Sequence, residues 1–183
     1  MKSRLLAVFL LLGSVCLQAQ NLVSNSGFEN LASIITIQGQ FQAAVPWQLP
    51  GASTATPDVF TAFYSGPAPT PCDFMSVPVN IGGSASAHGG SNYAGISIDP
   101  INGQYEYITI KLDAALDPGD IYILDFWAQL ADNSRFTLNR LGALLTTAVP
   151  VQGGSGIIPF SPQFESPTVI SDSLNWTHLQ FTP

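Results

Sequence analysis

The sequence predicts an all-β protein, a sandwich of short strands, and three observations carry that prediction. Apolar and polar residues alternate with period two, most clearly over residues 104–112 (QYEYITIKL) and 121–132 (IYILDFWAQLAD). Gly and Pro, at 16 and 14 of 183 residues, recur between such runs as turn punctuation. Almost no stretch repeats its apolar residues at helix spacing.

Taken in order, the chain opens with Lys2 and Arg4, an apolar run over residues 5–12, and small residues leading to Ala19. That order describes a secretory signal peptide over residues 1–20. The run is shorter than the roughly 20 apolar residues a membrane span needs. Residues 21–183 are then expected to form a single β-sandwich domain of a secreted or cell-surface protein, with no membrane insertion.

Within that domain, residues 21–29 (NLVSNSGFE) read as a short strand and a Gly turn, and residues 32–44 as a loop with a short strand. Val45, Pro46 and Trp47 lead into a second strand that Pro50 and Gly51 stop. Residues 58–64 (DVFTAFY) have strand composition, residues 65–90 form a long Pro/Gly/Ser loop, and residues 91–98 form the next strand. The runs at 104–112 and 121–132 read as a central antiparallel pair joined through a tight turn at Pro118 and Gly119. Its Tyr122, Leu124 and Phe126 face is assigned to the core, which leaves Asp125, Trp127 and Gln129 on the other face. Residues 135–147 read as a strand interrupted by Gly142, residues 149–167 as a loop, and residues 173–181 as a final apolar strand holding Trp176 in the core. The chain stops at Pro183 directly after it, as expected of a domain cut before its last strand, with further domains of the same polypeptide beyond.

Charge narrows the partners. The chain carries five basic and 12 acidic residues, for a net charge of −7 at pH 7, and two of the basic residues lie in the signal peptide. Lys111, Arg135 and Arg140 remain, so the surface repels nucleic acid and anionic membranes. Cys72 is the one cysteine left after processing, which excludes an internal disulfide.

The run NLVSNSGFE followed by Trp47 resembles the opening of galactose-binding-like jelly-roll modules, several carbohydrate-binding modules among them. SNYAGI, the long run YITIKLDAALDPGDIYILDFWAQLADNSR, LGALLTT and NWTHLQF are similar to secreted modules of Bacteroidetes-type surface proteins. The resemblance spans most of residues 21–181 and implies a jelly-roll β-sandwich. It also implies a structural Ca2+ held by Glu29 of the FE motif with backbone carbonyls, because calcium prefers hard oxygen ligands. Otherwise Glu29 is a hydrogen-bonding surface residue. No other cofactor is required.

Sugar sites combine exposed aromatic rings, which match the C–H face of a pyranose, with amides and carboxylates that fix orientation. Trp127 between Asp125 and Gln129 has that mixture, although the same pattern suits a Trp packed beneath a loop. Trp47 and Tyr64 are weaker candidates for the same site. Asp132, Asn133, Ser134 and Arg135 read as a turn with an ion pair from Asp132 to Arg135. Catalysis finds little support. His88 and His178 lack metal-ligand spacing. The run from Gly153 to Gly156 lacks the last Gly of a nucleophile elbow, Ile157 standing in its place. Glu106 and Asp125 form no sequence cluster of the glycosidase kind. The expected function is therefore a non-catalytic, exported carbohydrate-binding module for extracellular glycan or polysaccharide. A structural or adhesion domain of a cell-surface protein is the alternative, and a hydrolase comes third.

Overall fold

Strand composition and frequent Gly/Pro breaks produce many short strands here rather than a few long ones. A computed structural model describes residues 20–66 and 75–181; the expected signal peptide and Cys72 lie outside the described residues. In chain order the strands are β1 (Gly51–Ser53), β2 (Asp58–Thr61), β3 (Val79–Asn80), β4 (Gly83–Ser84), β5 (Asn92–Gly95) and β6 (Ile98–Asp99). There follow β7 (Gln104–Tyr105), β8 (Leu124–Ala128), β9 (Gly142–Ala143), β10 (Val151–Gly154), β11 (Phe164–Glu165) and β12 (Thr177–Phe181). Among the described residues the helical structure is a single 3-10 turn at Phe41–Ala43. The protein is all-β.

The strands pair as ribbons. Antiparallel pairs are β2 with β5, β3 with β4, β6 with β7, β8 with β12 and β9 with β11, while β1 runs parallel to β10. Sequence chemistry explains the best of them. β2 carries Val59, Phe60 and Thr61, all buried, and β-branched and aromatic residues suit a packed pleat. Its partner β5 ends in Gly95 beside the Phe60 ring, where a Cβ would lie 2.4 Å from Phe60 Cε2.

The core gathers on this N-terminal side. Ile35, Phe41, Ala44, Val59 and Met75 are essentially sealed from solvent, with Phe60 beside them. Phe28 and Trp47 close the cluster, with ring centroids 4.9 Å apart, and Phe41 meets Trp47 edge-on at 6.3 Å. Trp47 donates its indole N–H to the carbonyl of Asn25 at 2.9 Å. Residues 21–29, expected as a short strand and a Gly turn, form a turn without the strand. Asn25 and Phe28 adopt φ of +50° and +60°, and the Phe28 amide donates to the Asn25 carbonyl at 3.0 Å. Asn tolerates that region, whereas Phe is held there against its preference by the aromatic contacts.

The expected central pair does not form. Residues 104 and 105 pair with β6, and Thr109 bridges Gln48 through reciprocal 2.8 Å backbone bonds. β8 takes β12 as its partner. The turn at Pro118 and Gly119 is present, with Gly119 at φ +94°, but it does not join paired arms. The link between the two runs is too long to act as a two-residue hairpin that would set register, so packing chose the partners. Ile108 leans on the core cluster, whereas the β8 face of Leu124 and Phe126 meets Phe181. That β8 face is half-buried rather than the centre of the core. Residues 135–147 keep only β9 and a bridge from Leu138 to Ile170.

Candidate functional site

The alternation of β8 turns Leu124, Phe126 and Ala128 inward and Asp125 and Trp127 outward, as its sequence pattern required. β12 lies antiparallel to it with His178 directly opposite Trp127. Cross-strand neighbours sit close enough for rings to stack, and the Trp127 and His178 centroids are 4.5 Å apart at 20°. His88 stacks on Trp127 at 4.0 Å, also at 20°. It comes from the loop between β4 and β5. The two imidazoles make no ring contact with each other, so they cover opposite faces of the indole. Trp127 remains 44 % exposed. On the same face, Asp125 Oδ2 lies 3.2 Å from His178 Nε2.

The His88 loop is held down at several points. Trp176 donates its indole N–H to the Ser86 carbonyl at 2.9 Å. Its ring meets Tyr93 edge-on at 5.6 Å and His88 at 6.2 Å. Tyr93 accepts a 2.6 Å bond from the Asn80 amide at its hydroxyl, and burial pushes the pKa of that hydroxyl up. Gly83, at φ +119°, lets the β3–β4 hairpin press against Asp132, whose carboxylate accepts the Ser84 amide at 3.0 Å. Asp132 thus serves this hairpin rather than Arg135, and the turn around it forms as expected, with the Ser134 amide donating to the Ala131 carbonyl at 2.9 Å.

Between this loop and the β8–β12 ribbon lies a cleft of about 290 Å³. Its walls include Ser84, Ser86, His88, Gln129, Leu174 and Trp176. The Gln129 amide donates through Nε2 to the Ser173 carbonyl at 2.5 Å, while its Oε1 is shielded from solvent and has no partner. Leu174 at the mouth is 83 % exposed. The cleft can receive a small, partly apolar group against Trp176 and Leu174.

Trp127, Asp125 and Gln129 are therefore together on one strand and its extension. Trp47 and Tyr64 are not with them. Both pack on the core cluster, Tyr64 donating its hydroxyl to the Thr36 carbonyl at 3.2 Å. Trp176, expected in the core, is half-buried and lines the cleft instead, because it precedes β12 and reaches across to the loop. His88 and Trp176 are the residues that sequence reasoning missed here. His88 lies far from Trp127 in the chain, and nothing in its Gly-rich surroundings signals the stack.

Glu29 sits elsewhere, on the rim of a wide, open depression with Ser24, Asn25, Asn30, Val45 and Pro46. Its Oε1 accepts the Ser91 and Asn92 amides at 2.9 and 3.0 Å, which ties the FE turn to the start of β5. Asn92 is buried, its side-chain amide donates to the Phe28 carbonyl at 2.9 Å, and its Oδ1 has no partner. Among the described residues no group of three or more His, Cys, Asp and Glu converges as a metal site. Glu106 accepts the Thr56 amide at 3.2 Å and the Ser97 amide at 2.6 Å, partners it does not share with Asp125. Asp58 accepts the Gly39 amide at 2.6 Å, and burial, with Glu106 adding to it, raises its pKa to about 6.

Among the described residues no helix is long and apolar enough to cross a membrane. No family model, curated protein or solved structure matches this chain.

Proposed function

We propose that the protein is an exported, non-catalytic carbohydrate-binding module of the jelly-roll type, recognising extracellular glycan or polysaccharide. The observation that carries this reading is the cleft beside the Trp127 stack, whose lining combines the His88 and Trp176 rings with Leu174, Gln129 and two serines. Trp127 itself works from within the wall. With both faces covered, it stiffens the His88 loop, and Trp176 and Leu174 offer the apolar contact. A structural Ca2+ ion belongs to the same reading, with Glu29 and backbone carbonyls as the oxygen ligands this chain would offer.

The reading is tested by quenching of Trp fluorescence with oligosaccharides and by retention on insoluble polysaccharide. Binding should fall at least about tenfold in Trp176→Ala and in Trp127→Ala, with circular dichroism unchanged. No retention on any polysaccharide, with no hit on a glycan array, would replace this reading with the second one.

That second reading is a structural or adhesion domain of a surface protein. It is favoured by Ile121 and Ile123, 82 % and 61 % exposed just ahead of β8. Neither reading includes turnover, and hydrolysis of any member of a broad polysaccharide panel would overturn both.

A further inference from the structure

We infer that Asn102 is a site of spontaneous deamidation: in the folded protein the Gly103 nitrogen displaces its side-chain amide, and the carboxylate that results opens the β6–β7 hairpin. Residues 100–103 form the turn between these two short antiparallel strands, and all four are exposed. Asn102 and Gly103 are the one Asn-Gly pair in the sequence. Gly103 has no side chain to shield the attacking nitrogen, and a Cβ built there would meet nothing within 4 Å. Among the described residues the Gly103 amide donates to no acceptor, so the attack gives up no hydrogen bond. The two Asn-Ser pairs stand differently. Asn25 donates its side-chain amide to the Asn30 and Val45 carbonyls at 3.0 and 2.7 Å, and Asn133 donates to the Ile81 carbonyl at 2.9 Å. Their side chains tie separate segments together, whereas Asn102 reaches only Asp99 across its own turn, at 2.6 Å.

The reaction needs only water. The Gly103 nitrogen gives its proton to solvent base and bonds to Asn102 Cγ, the Cγ–Nδ2 bond breaks, and ammonia leaves a cyclic succinimide. Water then opens the ring. Cleavage at Cγ gives Asp, and cleavage at the main-chain carbonyl gives isoaspartate, whose backbone is one methylene longer. Asp99 makes the product matter. Its carboxylate accepts the Ile101 and Asn102 amides at 3.1 and 3.2 Å as well as the Asn102 side chain. The Asn102 side chain, foremost among these, holds the Asp99 carboxyl below the usual carboxylate range. Either product therefore sets a second carboxylate against an ionised one, where an amide had donated. Each strand of the hairpin is two residues long, so little else holds the turn closed. The change is one-way, and it is independent of which functional reading holds.

The test incubates the full chain, folded and in urea, at mildly alkaline pH and follows each Asn by peptide mass spectrometry. Asn102 should gain one mass unit in both, slowed by folding less than about tenfold, whereas folding should slow Asn25 and Asn133 more than about tenfold. Asn102→Gln, whose ring closure is larger and slower, should suppress the product. Asn102→Asp carries the product's charge in an exposed turn and should fold. It should speed hydrogen exchange across β6 and β7 at least about threefold while leaving β2 and β5 unchanged. Protection of Asn102 on folding as strong as that of Asn25 would overturn the inference, and so would unaltered exchange of the hairpin in Asn102→Asp.

Discussion

Two aromatic clusters divide this protein, and they are built on different terms. Phe28, Phe41 and Trp47 close over Ile35, Val59 and Met75, with apolar neighbours on nearly every side and the one indole N–H satisfied by a backbone carbonyl. His88, Trp127, His178, Trp176 and Tyr93 form the second cluster, where rings alternate with amides, carboxylates and solvent. Burial of apolar area stabilises the first cluster. The second buries less, leaves Trp127 44 % exposed and keeps the Gln129 side-chain oxygen without a partner. The same residue types are thus sealed on one side and partly open on the other, according to what surrounds them.

The strongest way to break that comparison is to truncate each cluster. Phe41, 1 % exposed, should cost about 3–5 kcal/mol as Phe41→Ala, read from urea unfolding, which is enough to unfold much of a marginal domain. Glu29→Ala comes next. It strands the Ser91 and Asn92 amides, one of them in a buried residue, and should cost about 2 kcal/mol. In the same experiment, a calcium-dependent rise in melting temperature that Glu29→Ala abolishes would support the structural ion, and identical curves in EDTA and calcium would remove it.

Asp58 offers a test by pH. Its folded pKa of about 6 lies above the model-peptide value of 3.8, so the folded state holds the proton more tightly than the unfolded chain. The stability this proton contributes is fully present below about 3.8 and is lost as pH rises through about 6. Asp58→Asn should remove that slope. Relative to the parent it should gain about 1 kcal/mol at pH 7.5, discounted for the solvent that reaches the carboxylate, and gain nothing at pH 3.5. Equal pH profiles for the two proteins would contradict the assignment. The smallest expected stability loss is in the second cluster. Trp127→Ala should cost about 1 kcal/mol, a fraction of Phe41→Ala, while quickening proteolysis of the His88 loop. A loss as large as that of Phe41→Ala would make Trp127 a core residue and erase the contrast.

Much of this organisation was legible in the residues. The period-two alternation in β8 correctly separates Leu124, Phe126 and Ala128 from Asp125 and Trp127, because a pleat forces successive side chains to opposite faces. The turn at Pro118 and Gly119 and the absence of α-helix among the described residues follow from local backbone preferences in the same way. Partner choice did not follow. Strand 104–112 looked like the natural mate of β8, yet β12 took that place, since the linker was too long to enforce register and the decision passed to packing against Phe181 and the distant core.

The site shows the same division. Composition and alternation were enough to put Trp127 beside Asp125 and near Gln129 on an outward face, and to set the acidic character of the surface. They could not show that His88 and His178 would cover both faces of that indole. Nor could they show that Trp176 would leave the core for the cleft, or that Gln129 would keep an oxygen unpaired. Those contacts join residues far apart in the chain. Their energies exist only once the loop between β4 and β5 has folded against the β8–β12 ribbon. Local chemistry determined which side chains point outward, and the tertiary structure decided which of them meet.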